Sequence, residues 1–385
     1  MPRAFFLISL LLLSCSAQNP APVSQAQPSP AATQAAAAKP ATKDAALTAT
    51  EFAQLIERVS EPNGYFDTDN LISNETSYLH VVGKLRKMNI NGGAYIGVGP
   101  DQNFSYMAQI RPRIAFIIDI RRDNQLQHLL FKSLFALARN RVEYLCLLFG
   151  KPVPNEATKW NIAQVVEYLD KTPADRKRFE ATRTNIAAKL KTFGLKLDGK
   201  DFATINRIHE EFFSAGLDLK FTSHHRSPRS YYPNYRDLML EKDLTGKQTN
   251  YLVNEDDFQF LKSLEDRNLV IPAVGNFAGD KAFLEVGKIL KERGEKVTAF
   301  YTSNVEYYLM GDSSFDRYAE NVRQLPIEKN GVLIRSYFGN TYSFQLPQAI
   351  PGYYSAQLLQ PLESFVKGNF QSYRDLITQD SLDLK

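Results

Sequence analysis

The residues best placed for chemistry are Gly97, Gly99, Asp101 and Asn103, in the run Gly97-Val98-Gly99-Pro100-Asp101-Gln102-Asn103, together with Asp119. The glycines follow a short apolar run, Ala94-Tyr95-Ile96. Backbone without side chains lets a ligand come close to the end of a strand. Asp119 ends the next apolar run, Ile114 to Ile118. It stands about 20 residues past the glycines, the spacing at which an acid meets the hydroxyls of a ribose. The same residues also suit a tight turn followed by a solvated strand-end aspartate.

Other positions carry weaker signals. Asn276, in Gly275-Asn276-Phe277-Ala278-Gly279, could orient a substrate or cap the next helix. Ser303-Asn304 ends a further apolar run and reads as a helix N-cap. Arg121 and Arg122 suit an anionic ligand or a solvated face equally. Tyr231, Tyr232 and Tyr235 could stack on a planar ligand or pack as ordinary loop residues. His224-His225 is a poor metal site, because adjacent side chains of an extended chain point apart. His80, His128 and His209 read as packed or surface residues, and no metal site is expected. Cys146 lies in an apolar stretch and reads as a buried small hydrophobe. The sequence has no Gly-x-Ser-x-Gly elbow, no Walker loop and no His-Glu-x-x-His.

The elements that position these residues alternate. Strands are expected at 94–98, 114–118, 217–221, 269–274, 296–301, 331–337 and 341–346, the last two joined as a hairpin through Gly339-Asn340. Helices are expected between them: one opening at the capping box Thr48-Ala49-Thr50-Glu51, one after Asp280, and one over 353–366 bent at Pro361. A helical insertion fills about 139–200, and 223–252 is a long loop. The implied fold is α/β, a doubly wound, mostly parallel seven-stranded sheet with a C-terminal antiparallel hairpin.

Over roughly residues 90–347 this arrangement resembles the class I S-adenosylmethionine-dependent methyltransferases, a Rossmann-like family. The resemblance implies a ligand site at Gly97, Gly99, Asp101, Asn103 and Asp119, with S-adenosylmethionine as the cofactor and Asn276 near the reacting group. The chain departs from the pattern in two places. Asp101 stands where the family has a third glycine, and the Pro-Pro-Tyr expected after Asn276 is absent. The runs Tyr95 to Tyr106 and Val274 to Gly279 also resemble those of a group of bacterial proteins, some of them lipoproteins, a likeness that brings no activity with it.

The N-terminus bears on the compartment. Arg3 precedes an apolar run, Phe5 to Leu13, that ends in Leu12-Leu13-Ser14-Cys15. That run is too short to span a bilayer. It resembles a lipoprotein signal, with Cys15 as the acylated residue. Residues 16–46, rich in Ala, Pro, Gln and Ser, read as a tether, and 47–385 as the folded domain. Ser16 after the cysteine points to the outer membrane, facing the periplasm or the surface. The net charge of +4 is spread without a dense basic run, so nucleic-acid binding is not expected. Two function classes follow: an anchored domain binding a small, nucleoside-containing ligand at the strand ends, or a non-catalytic interaction lipoprotein on the same scaffold. Export weighs against methyl transfer, because S-adenosylmethionine is made in the cytoplasm. Cells fed labelled palmitate are expected to label the full-length protein and to leave Cys15→Ser unlabelled. Equal labelling of both would remove the anchor.

Overall fold

Long apolar runs that pair on both edges build the centre of the molecule. The structure, a computed structural model, describes residues 45–224, 226–339, 344 and 346–385. Cys15, most of the proposed tether and His225 lie outside the described residues. Among the described residues six strands form one sheet: β1 Ala94–Gly97, β2 Ile114–Asp119, β3 Val270–Val274, β4 Val297–Ser303, β5 Ile327–Tyr337 and β6 Ala356–Pro361. Their order is β3-β2-β1-β4-β5-β6. The first five are mutually parallel, with Ala94 opposite Ile114, and β6 runs antiparallel to β5. Every residue of β1, β2 and β3 is buried, as expected of a parallel sheet covered on both faces. The fold is therefore α/β with a mixed, mostly parallel sheet.

Three expectations need correction. Residues 217–221 form no strand. Gly216–Asp218 is a 3-10 turn, and only Lys220 makes an isolated bridge, to Asn234. The antiparallel partner of β5 is not the segment after Gly339-Asn340, of which 340–343 and 345 lie outside the described residues. It is β6, within the stretch expected to be a bent helix. Ala, Gln and Leu favour a helix locally. Here Gln357 and Gln360 point inward and are almost fully buried. Their amides bond Ser336 and Arg335 across the pair, at 2.7 and 2.8 Å. Pro361 closes the strand, where its missing N–H costs no ladder bond, and the helix Leu362–Lys367 starts after it.

Between β2 and β3 the described chain adds no strand to the sheet and is mainly helical, from the helix Arg122–Leu137 to the helix Glu255–Asp266, with loops on either side of Tyr235–Leu240. Thr48 caps the helix Ala49–Val59, and Glu51 returns the bond to the Thr48 amide at 2.7 Å. The helix Ala282–Glu292 is not capped by Asp280, which pairs at the surface with Arg317. The Glu61 carboxylate caps it instead, accepting from the amides of Lys281 (3.1 Å) and Ala282 (2.8 Å).

One buried ion pair ties the sheet to its covering helices. Arg335 on β5 forks onto Glu306, and both are nearly inaccessible to water. Tyr318 donates to Glu306 at 2.8 Å, and Gln360 accepts from Arg335. Removing one member of such a pair leaves a bare charge in a low-dielectric core. Arg335→Met is expected to lower unfolding free energy by about 3–5 kcal/mol, with much of the loss recovered in Arg335→Met/Glu306→Leu. Urea denaturation of the three proteins checks this. A loss in the double variant as large as in the single one would contradict it.

Candidate functional site

The order of the sheet reverses at β1, which has β2 on one side and β4 on the other. Such a switch point leaves a crevice beyond the carboxyl ends of the strands. Here the crevice is open and holds about 1380 Å³. Its floor is Val98-Gly99 after β1, Asp119 to Arg121 around the end of β2, Gly275-Asn276 after β3 and Ser303-Asn304 after β4. Ile114 to Ile118 lies beside β1, so Asp119 and the glycine turn face the same space.

The glycine turn is held from within. Asn103 is fully buried, and its Nδ2 donates to the carbonyls of Val98 (2.9 Å), Gly99 (3.3 Å) and Pro100 (2.7 Å). Its Oδ1 accepts from Tyr95 at 2.8 Å. A Cβ on Gly97 would lie 2.0 Å from that Oδ1, so Gly97 makes room for Asn103 and not for a ligand. His128 Nε2 lies 2.9 Å from the Gly99 carbonyl, and burial pushes this histidine down to about 4. It is therefore neutral at pH 7 and donates that hydrogen. Gly99 itself has φ +80°. Pro100 contributes no N–H to the turn, which removes one donor that a phosphate cradle would use.

Asp101 also faces inward. Its Oδ2 accepts from Tyr235 (2.7 Å) and Tyr251 (3.0 Å), and it does not line the crevice. Desolvation raises its carboxyl to about 6 against the two tyrosine hydrogen bonds. Asp119 does line the crevice. Its Oδ1 accepts from the amide (2.9 Å) and Nε (3.1 Å) of Arg121, and its Oδ2 from Nη2 at 3.0 Å. Arg121 Nη1 is spent on the carbonyls of Thr68 and Asp69. A carboxylate has about four acceptor positions, which leaves one on Oδ2. Asn276 lines the crevice too, but its Oδ1 accepts from the Ala278 amide at 2.9 Å in a local turn.

A family model described as a domain of unknown function (DUF7790) matches residues 71–376. The chain belongs to that family. No curated protein matches it. The family match takes in all six strands and stops short of Glu61.

Sequence reasoning missed a buried carboxyl group in the crevice of this DUF7790 protein. Glu75 is about 1% exposed and lies at the crevice base. Its Oε1 accepts from Tyr301 (2.6 Å) and Ser303 (2.5 Å), and its Oε2 from Gln357 (2.9 Å). Gln102 donates to Tyr301 at 3.1 Å, which links the network to the helix after the glycine turn. Nothing local in Asn74-Glu75-Thr76 announces partners more than 200 residues away. The rim is aromatic. Tyr65, Tyr307 and Tyr308 line it and are exposed, and Tyr354, also in the lining, packs at a tilt against Tyr231 just outside it, with ring centroids 4.2 Å apart.

The remaining expected residues lie elsewhere. Arg122 pairs with Asp201 at 2.7 Å. His224 stacks against Tyr65. His80 is buried against Tyr353, and desolvation pushes it down to about 4. Cys146 is buried, and desolvation pushes its thiol up to about 12. Among the described residues no group of three His, Cys, Asp or Glu could hold a metal.

Asp101 makes stability depend on pH. Its carboxyl binds a proton more readily folded than unfolded, so its contribution is full below about 4 and is lost as pH rises through 6. Asp101→Asn keeps both tyrosine hydrogen bonds and removes that titration. The stability of Asp101→Asn relative to wild type is expected to rise by roughly 2 kcal/mol between pH 4 and 7. Urea melts across that range check it, and a difference that stays flat with pH would contradict the buried, protonatable carboxyl.

Proposed function

We propose that this protein is an exported, lipid-anchored binding protein whose doubly wound, methyltransferase-like domain takes a small planar, hydroxyl-bearing ligand of nucleoside type in the crevice at the strand ends. One observation carries the reading: an open crevice at the β1/β4 reversal whose rim holds exposed tyrosines. Water-exposed aromatic faces around a concavity suit a stacked ring, worth about 1–3 kcal/mol per base. The free acceptor position on Asp119 suits a ligand hydroxyl, and Gly99 lets the ligand approach the backbone.

The residues do not fit S-adenosylmethionine as the methyltransferase resemblance implies. Gly97, Asp101 and Asn103 are turned inward and partnered within the chain, and Asn276 is committed to its own turn. No methyl-transfer step follows from this arrangement. Export supports the same conclusion, since a cytoplasmic cofactor has no source outside the inner membrane. A second reading, a lipoprotein that binds a protein partner, draws on the same exposed Tyr65, Tyr231, Tyr307 and Tyr308, because aromatic side chains concentrate at interfaces.

Thermal unfolding of the full-length protein with adenosine, S-adenosylhomocysteine and NAD separates the two. A ligand at 100 times its Kd adds about 2.7 kcal/mol of stability. At least one nucleoside is expected to produce such a shift, reduced in Tyr307→Ala/Tyr308→Ala. No shift with any of them would sink the small-ligand reading in favour of the protein partner.

A further inference from the structure

We propose that Ser303 and Glu75 form a nucleophile–base pair in this crevice, and that the protein hydrolyses carboxylic esters bearing a planar or apolar group. The proposal rests on the reading that the crevice admits a small ligand, and it adds a reaction to it.

Four observations converge on Ser303. It is the last residue of β4, and the helix Val305–Gly311 begins two residues later. Its φ is +52°, a conformation that costs a residue with a side chain of order 1–3 kcal/mol and that persists where the surroundings impose it. A strained strand-to-helix turn is the geometry that lifts a nucleophile out of a sheet edge, and the amide of the next residue, here Asn304, then follows the nucleophile directly. The side chain is half-buried and faces the crevice, so a substrate reaches it. Its Oγ donates at 2.5 Å to Glu75 Oε1, a charge-assisted contact at the short end of the hydroxyl–carboxylate range.

Glu75 is held as a base must be. Tyr301 and Gln357 fix its two oxygens, and Gln357 is itself tied to Ser336 at 2.7 Å. A nucleophile, a base within hydrogen-bond reach and a third group orienting the base make up the arrangement that activates hydroxyls in general. A helix-capping role for Ser303 does not describe this contact, because Oγ is directed to Glu75, and the helix that follows has no side-chain cap bond from its N-cap Asn304.

The reaction balances with water as the only co-reactant. Glu75 Oε1 takes the Oγ proton while Oγ bonds to the ester carbonyl carbon. The carbon–oxygen bond to the alcohol breaks, and the alcohol leaves with the proton from Glu75. Water then loses a proton to Glu75 and attacks the acyl carbon. The Ser303–acyl bond breaks, Oγ recovers the proton, and the acid departs. Nothing made in the cytoplasm is needed, which agrees with an exported protein.

The test uses the full-length protein and a fluorophosphonate, which phosphonylates activated hydroxyls, serine above all. Mass mapping is expected to find the label on Ser303. Ser303→Gly, which suits a positive φ, is expected to fold and take no label there. Glu75→Gln is expected to label about a hundredfold more slowly, in line with loss of a general base. Should Glu75→Gln not fold, Tyr301→Phe removes one of the donors that orient the base and is expected to label more slowly than wild type. Hydrolysis of p-nitrophenyl butyrate should follow the same order. A folded wild-type protein that takes no label on Ser303, or variants of the Glu75 network that label at the wild-type rate, would overturn the pair. A missing nucleoside shift with labelling intact removes the ligand class alone. A shift without labelling removes the hydrolytic pair alone.

Discussion

A carboxylate sunk at the base of a crevice must be given donors, and much of this molecule is arranged to supply them to Glu75. Tyr301 and Ser303 come from the end of β4, and Gln357 comes from β6. Gln102 reaches the same network from the helix behind the glycine turn. Leaving such a group unpaired costs several kcal/mol, so the bonds hold the segment before β1 against the far edge of the sheet. The end of β4, the antiparallel edge strand β6 and the wall around residue 75 are joined through one side chain.

The same logic of inward satisfaction explains the glycine turn. Asn103 and His128 hold its carbonyls from below, and Asp101 is given to two tyrosines. Glu61 fills the amides at the start of the helix Ala282–Glu292, where an anionic ligand could otherwise sit. Polar positions that a cofactor fold usually offers to its ligand are here used by the chain itself. What the crevice still presents is an acceptor position on Asp119, the bare backbone at Gly99, the Ser303 hydroxyl held by Glu75 and the exposed rings of Tyr65, Tyr307 and Tyr308.

The parts of this plan that were legible in the sequence are the local ones. Apolar runs announced β1 to β5, because residues of a covered parallel sheet are buried on both faces. Thr48 and Glu51 announced their capping box three residues apart. The glycines announced a turn at a strand end. β6 was hidden because Ala356 to Gln360 is built of good helix formers, and only pairing with β5 makes it a strand. The inward turn of Asp101 depends on Tyr235 and Tyr251, well over a hundred residues away. Glu75 and Ser303 lie further apart still, and no short-range pattern links them. The family model carries the fold beyond this chain without adding an activity.

The claim that most needs testing is that the crevice at the strand ends is open and takes planar, hydroxyl-bearing molecules. Crystals of the protein soaked with a library of such fragments test it directly. The account predicts fragment density between Asp119 and the Tyr307–Tyr308 rim, with a hydroxyl against Asp119 Oδ2. Side chains filling that space, or fragments gathering only at other surfaces, would contradict it.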